Sequence, residues 1–400
     1  MVVAAGLILT GCRSGRSVPS ATPAAPSGIR LAESTASAST AVAGLNVYAA
    51  AGSGMLAPAA AAARPLVYVP DTLSGLVDVI DPATYRVVRS FRTSSVPQHV
   101  VPSWDLKTLW VNESGGNRLT PIDPVTGRVG RPVPVVDPYN LYFTPNGRHA
   151  MVMAERLRRI DFRDPRTMAL QRSLPVPCSG INHADFTADL TTLVASCEFS
   201  GKLLVIPADG SRVVKVIDLN RVKTPGALMP AAARRRGGPA RSLEPGASAM
   251  PQDVRLTPDG ETFLAADMIR NGVWLIDAHR MSVRGFLPTG AGAHGIHPSR
   301  DGTVLYVADR DAGQISVVDA ATLRVRTRWV IPGGGSPDMG GVSADGRQLW
   351  LSGRSDAAVY VIDTRTGRLL HKIKVHAGPH GLCIWPQPGR FSLGHTGNLR

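Results

Sequence analysis

The sequence predicts an all-β fold, a seven-bladed β-propeller of four-stranded antiparallel blades, and three observations predict it. A short apolar strand ending in a turn residue recurs seven times, a tight hairpin recurs with it, and the two ends of the array are complementary halves of one blade. The strand is clearest at Val77-Asp78-Val79-Ile80-Asp81 and Leu119-Thr120-Pro121-Ile122-Asp123. It returns ending at Asp161, Pro207, Asp277, Asp319 and Asp363. Successive terminal positions lie 42, 38, 46, 70, 42 and 44 residues apart, and the long interval is one period plus a basic Pro/Gly/Ala insertion at 221–249. The hairpins turn on Asn146-Gly147, Asp259-Gly260, Asp301-Gly302 and Asp345-Gly346, dipeptides that favour tight β-turns. No segment of helical period competes with this reading. The first unit begins at Leu66-Val67-Tyr68-Val69 without an innermost strand, and Gly381-Leu382-Cys383-Ile384-Trp385 is a strand left over after the seventh. Pairing the two closes the ring and removes open sheet edges.

Composition agrees. Of 400 residues, 44% are hydrophobic and 18% charged, enough apolar material for a core, and 41 Gly with 32 Pro supply many turns. No apolar run reaches the length of a membrane span, which excludes a polytopic membrane protein. The net charge of +14 is unevenly distributed. Arg13, Arg16, Arg30 and Arg64 against Glu33 give +3 over residues 1–66, and the insertion, with Arg221, Lys223, Arg234, Arg235, Arg236 and Arg241 against Glu244, gives +5. Only +6 remains elsewhere, so no nucleic-acid groove is expected.

The N-terminal apolar run Val2–Leu9 leads into Leu9-Thr10-Gly11-Cys12, which resembles the lipobox of bacterial lipoproteins. That resemblance implies cleavage before Cys12, diacylglycerol on its thiol, and residence outside the cytoplasm on the outer face of the cell membrane. The bacterial membrane, through this anchor, would be the first partner. Residues 13–65, rich in Ala, Ser and Pro, are expected to be a disordered tether, because they bury too little apolar area to offset their ordering entropy. The propeller is assigned to 66–386, with 387–400 as a C-terminal tail packed on its surface and no role for His395. A monomer is expected.

Leu305-Tyr306-Val307-Ala308-Asp309 followed by Ile315-Ser316-Val317-Val318-Asp319 resembles the YVTN-type propeller repeat of YncE-like proteins. The resemblance covers residues 66–386; it implies the fold and is nearly silent on activity. No Trp-Asp pair of the WD40 kind ends these strands. The strand-end residues Asp81, Asp123, Asp319 and Asp363 are expected to bond the backbone of the following turn rather than form an acidic ring.

The segments leading into the inner strands should gather around the axial channel. They carry His99, Asn140, His183, Asp253, His294, Asp338 and His380, with His297 just inside. Neutral imidazole and Asp oxygen are natural ligands of a divalent metal, so His99, His183, Asp253, His294, Asp338 and His380 form the candidate metal or ligand set. A polar ring that only satisfies itself and the backbone is the alternative. Asp71, Glu113, Glu155, Glu198, Asp267, Asp309 and Asp311 follow the second strands and are expected to be solvated at the same face. The Arg234–Arg236 insertion should hang over that face as a lid, a contact for anionic envelope material, or a plain loop. Cys178 and Cys197 could approach across a sheet as a disulfide, and Cys383 reads as a buried thiol.

No dense metal motif, no Cys-x-x-Cys-His haem attachment and no assignable nucleophile arrangement occurs. Two function classes follow. One is a lipid-anchored envelope propeller that binds or scaffolds an envelope protein, polymer or small molecule, with a ligand or metal at the channel mouth. The other is a propeller enzyme or cofactor carrier using the same channel, as in lactonases or the haem d1-binding nitrite reductases, which it resembles in architecture alone.

Overall fold

The computed structural model describes residues 45–223 and 243–400. Cys12, the greater part of the expected tether and Arg234–Arg236 lie outside the described residues. Seven antiparallel sheets stand around a common axis. Blade 1 comprises Leu66–Asp71, Leu76–Asp81 and Arg86–Arg92, and its inner strand is Cys383–Trp385. The pairs Leu66↔Trp385, Val67↔Ile384 and Tyr68↔Cys383 close the ring as the sequence predicts. Blades 2 to 7 begin with inner strands Pro97–Pro102, Pro138–Phe143, Ile181–Phe186, Pro251–Leu256, Ala293–Pro298 and Pro337–Val342.

Inner and middle strands are apolar on both faces because each blade is covered by two neighbours. Val67, Val69 and Ile80 of blade 1, for example, meet Trp350, Val359 and Val361 of blade 7. Each such side chain contributes roughly 1.5–3 kcal/mol when fully buried. The outer strand Arg-Val-Val-Arg-Ser-Phe-Arg has one half-wet face and is correspondingly mixed. The strand-end aspartates hold their turns as expected: Asp81 Oδ1 accepts from Ala83 N at 2.9 Å and Asp319 Oδ1 from Thr322 N at 2.7 Å. Gly147 needs to be glycine twice over, with φ at +66° and the Trp104 ring 2.6 Å from where a Cβ would sit.

Two segments differ from expectation. Residues 45–65, assigned to the tether, pack on the ring: Ala60 is fully buried and the Tyr48 hydroxyl donates to Leu256 O at 2.8 Å. The C-terminal tail is not on the surface. Ser392–Gly394 and Asn398–Leu399 form a hairpin that adds to the free edge of the blade 3 inner strand, extending that sheet to six strands. A propeller's inner strands have an unpaired edge along the channel, and this hairpin satisfies part of it: His395 N donates to Leu141 O at 2.9 Å. The ends of the basic insertion are clasped by Asn220, whose Oδ1 accepts from Ser248 N and Ala249 N.

Candidate functional site

Six of the inner strands slip in register just after their first residue, as between Pro97 and His99 or Ala293 and Ile296. A bulge of this kind re-aims side chains, so two successive residues can reach the channel where a regular strand presents one. This local irregularity accompanies five of the sequence-predicted residues at the axis; His380 instead lies ahead of the blade 1 inner strand, its N donating to Pro70 O at 3.0 Å. All six of His99, His183, Asp253, His294, Asp338 and His380 are buried there.

They fall into connected groups. His99 Nδ1 lies 3.0 Å from Tyr139 O, which leaves Nε2 without a partner. His183 Nδ1 lies 3.3 Å from Asn140 Nδ2 and 3.1 Å from Nε2 of His395, and its own Nε2 has no partner. His395 stands at the tip of the C-terminal hairpin, fully buried. One ring nitrogen from each of His99, His183 and His395 lies within 4.8 Å of the other two. Asp253 sits beside them, its Oδ1 3.4 Å from His395 Nε2, while its Oδ2 accepts from Ile296 N at 2.9 Å. Across the channel His294 Nδ1 is 2.9 Å from Asp338 Oδ1, the oxygen that also receives Arg310 Nε at 3.1 Å. His380 links the halves, with ring centroids 4.8 Å from His99 and 5.8 Å from His294.

Space for these rings comes from glycine. A Cβ at Gly381 would lie 2.1 Å from His99 Cδ2, and one at Gly295 would lie 2.8 Å from His297 Nε2. Below the imidazoles, Asp185 accepts from Arg400 Nη2 at 2.8 Å and Asn398 Nδ2 at 2.7 Å, which fixes the base of the hairpin. A cavity of about 30 Å³ is lined by Tyr48, Arg255, His297, Arg300, Gln387 and Gly397. It has room for a water molecule rather than a ligand.

Electrostatics keep the set in a ligating state. Burial pushes His99 and His297 down to about 3 and His294 to about 4. Burial likewise lowers His183, His380 and His395. Burial works to raise Asp253 and Asp338, but Arg255 and Arg310 respectively overcome it and hold both well below the usual carboxylate range. At neutral pH the channel therefore presents uncharged imidazoles beside ionised carboxylates, the protonation states that bind a metal.

The acids after the second strands are not solvated as expected. Asp71, Glu113, Glu155, Asp267 and Asp309 are all buried. Glu113 accepts from Ser94 N at 2.6 Å and Arg118 Nε at 2.8 Å, and Asp309 accepts from Thr289 Oγ1 at 2.8 Å. They fasten the loop between one blade and the next to the following sheet. Glu198, half-buried, accepts from Asn182 Nδ2 at 2.8 Å, and burial pushes it up to about 7. Cys178 and Cys197 are joined as a disulfide with Cα atoms 6.0 Å apart, and Cys383 is a buried free thiol.

Sequence reasoning missed His395. The signal was Gly394-His395-Thr396-Gly397 between two short strand-like pieces, a hairpin whose tip is an imidazole. Its partner was invisible, because the tail lies outside the repeat and has no register to inherit.

Solved structures share the architecture. A functionally unknown protein from Desulfotomaculum acetoxidans DSM 771 matches with 13% identity, over 81% of this chain and 100% of that one, at a TM-score of 0.61. Dihydro-heme d1 dehydrogenase NirN in complex with DHE matches with 14% identity, over 80% and 75%, at 0.57. Kuenenia stuttgartiensis hydrazine synthase matches with 15% identity, over 78% and 93%, at 0.55. At these identities the likeness is one of fold alone. No curated protein matches the chain. The family model described as YNCE-like beta-propeller matches residues 31–167 and 244–388, most of the chain, and with the seven closed blades this makes the protein a member of the YNCE-like β-propeller family.

Proposed function

We propose that this YNCE-like propeller is a metal-binding protein of the cell envelope, holding a divalent transition-metal ion among His99, His183 and His395 in its axial channel. The observation that carries the reading is the convergence of three fully buried imidazoles, two of which leave Nε2 without any partner. A buried polar atom left unsatisfied costs about 1–3 kcal/mol, and an ion bound by His99 Nε2 and Asp253 Oδ1 would relieve two at once. Ligand nitrogens around a tetrahedral zinc sit about 3.3 Å apart, given bonds of about 2.0–2.1 Å. His183 Nδ1 and His395 Nε2 already stand at 3.1 Å, so rotation of His99 completes the set. Imidazole donors favour Zn²⁺ or Cu²⁺ over Mg²⁺ or Ca²⁺, and Asp253 Oδ1, 3.4 Å from the same His395 Nε2, would add a carboxylate ligand. His294, His380 and Asp338 form the adjacent polar wall. Location in the envelope is supported by the lipobox-like Leu9–Cys12 and by a disulfide of the kind that persists outside the cytoplasm.

The test is metal content and calorimetric titration of the full chain after chelator treatment. Zn²⁺ or Cu²⁺ should bind at one equivalent, and His99→Ala, His183→Ala and His395→Ala should each weaken binding by about 100-fold or more. A stripped chain that takes up neither ion, or three variants that bind like the parent, would refute the proposal.

A further inference from the structure

Four of the seven blades, 1, 2, 5 and 6, share a second device away from the axis, and blade 1 departs from it. In these four the acid that ends the second strand stands seven positions before a residue of the third strand. In blade 2, Glu113 accepts from the Thr120 hydroxyl. In blade 5, Asp267 Oδ2 accepts from Trp274 Nε1 at 2.8 Å, and in blade 6, Asp309 Oδ2 accepts from Ser316 Oγ at 2.7 Å. Each pairing sets a donor against a buried carboxylate. In blade 1 the acid is Asp71 and the residue seven positions later is Asp78, a second acid in place of a donor.

The consequence is visible in the hydrogen bonding. Asp71 is fully buried, and neither carboxylate oxygen has a hydrogen-bond partner. Asp78, also fully buried, accepts from Ser90 Oγ at 2.5 Å and from His376 N at 3.0 Å. The His376 ring closes the group, with Nδ1 3.0 Å and 2.9 Å from the two Asp78 oxygens. One ligand atom from each of Asp71, Asp78 and His376 lies within 4.8 Å of the others. The His376 side chain is 49% exposed, so the group is dry at Asp71 and open to solvent at the imidazole. Two buried carboxylates facing one another require either a shared proton or a cation between them.

We propose that Asp71, Asp78 and His376 form a second divalent-cation site, independent of the axial imidazoles. Burial, with Asp78 beside it, pushes Asp71 up to about 9, so the ion would displace one proton to solvent; the two carboxylates then balance its two charges, and the half-exposed imidazole supplies the third ligand and the route in. The ion would take the place that the Thr120, Trp274 and Ser316 donors fill in the sister blades. Two oxygens with one imidazole suit Mn²⁺ or Zn²⁺, a harder preference than that of the axial triad.

The experiment titrates Mn²⁺ and Zn²⁺ calorimetrically into the chelator-stripped full chain carrying His183→Ala, which removes an axial ligand. One equivalent of either ion should still bind, and Asp71→Asn in that background should weaken it by about 100-fold. Asp78→Ser, which restores the donor of the sister blades, should abolish binding while leaving the melting temperature of the metal-free chain unchanged or higher. Should Asp71→Asn fail to fold, Asp78→Ser and His376→Ala carry the same comparison. Absence of Mn²⁺ and Zn²⁺ binding in the His183→Ala chain, or binding that survives Asp78→Ser, overturns the proposal; the first result leaves a shared proton as the occupant.

Discussion

Replacing Gly381 by alanine adds one methyl group to the channel wall while leaving every proposed ligand in the sequence, and the geometry says what it should do. The new Cβ would lie 2.1 Å from His99 Cδ2 and 2.7 Å from Cγ. Carbon atoms rest about 3.5 Å apart, so the ring must retreat by about 1.4 Å. The backbone cannot retreat instead, because Gly381 N donates to Gln98 O at 2.9 Å and its carbonyl accepts from Val100 N at 3.1 Å. Metal–ligand bonds tolerate displacements of only about 0.2 Å, so the expected loss in Zn²⁺ affinity is about 100-fold, or about 2.7 kcal/mol. Overpacking should cost about 1–3 kcal/mol of stability, which leaves a folded protein to measure. A competition titration at pH 7.5 against a chromophoric chelator reads the affinity, and near-UV circular dichroism checks the fold. A folded Gly381→Ala chain that binds Zn²⁺ within about threefold of the parent would refute the assignment of His99 as a ligand.

Three further outcomes are expected. His297 is held uncharged by burial, down to about 3 from an ordinary 6.5, so protons bind the unfolded chain first and stability falls with pH below 6.5. Between pH 6.5 and 4.5 the parent should lose about 2.3 kcal/mol more than His297→Gln in urea unfolding, and parallel pH profiles would count against a neutral buried ring. Replacing both Cys178 and Cys197 by serine removes a link across a sequence separation of 19 and should lower the unfolding free energy by about 3 kcal/mol; an unchanged denaturation midpoint would show that the link adds nothing. Labelled palmitate should enter the protein expressed in bacteria with its leader intact and should be lost with Cys12→Ala; label that persists in the variant removes the anchor.

The fold was legible because one physical rule repeats. Each blade needs strands that are apolar on both faces and turns that its own aspartates hold, so Val77–Asp81 and Ile315–Asp319 announce themselves at a fixed period. The phase of that period located the closing strand, and Cys383–Trp385 lies beside Leu66–Tyr68 accordingly. The same register exposed His99, His183, His294 and His380, since residues in one slot of a ring must meet at its axis. His395 escaped because its position follows from filling an unpaired strand edge, a tertiary event with no sequence period. The acids after the second strands misled for a related reason. Asp267 looks like a loop carboxylate, yet its partner Trp274 sits on the adjacent strand, and only the pairing shows that the two meet in a dry interior.

The hairpin that carries His395 gives the centre an unusual dependence on the whole molecule. Its three imidazoles come from blade 2, blade 4 and a segment beyond the last blade, and His183 and His395 stand 212 residues apart in the chain. Blades 2 to 4 cannot offer them together until the far end of the chain has docked on the blade 3 edge. An ion seated there would therefore be a clasp that fastens only after that docking, and its uptake would report it. By linkage it would also slow the first opening of the ring, so that loss of the ion and loss of the fold should be hard to separate in time.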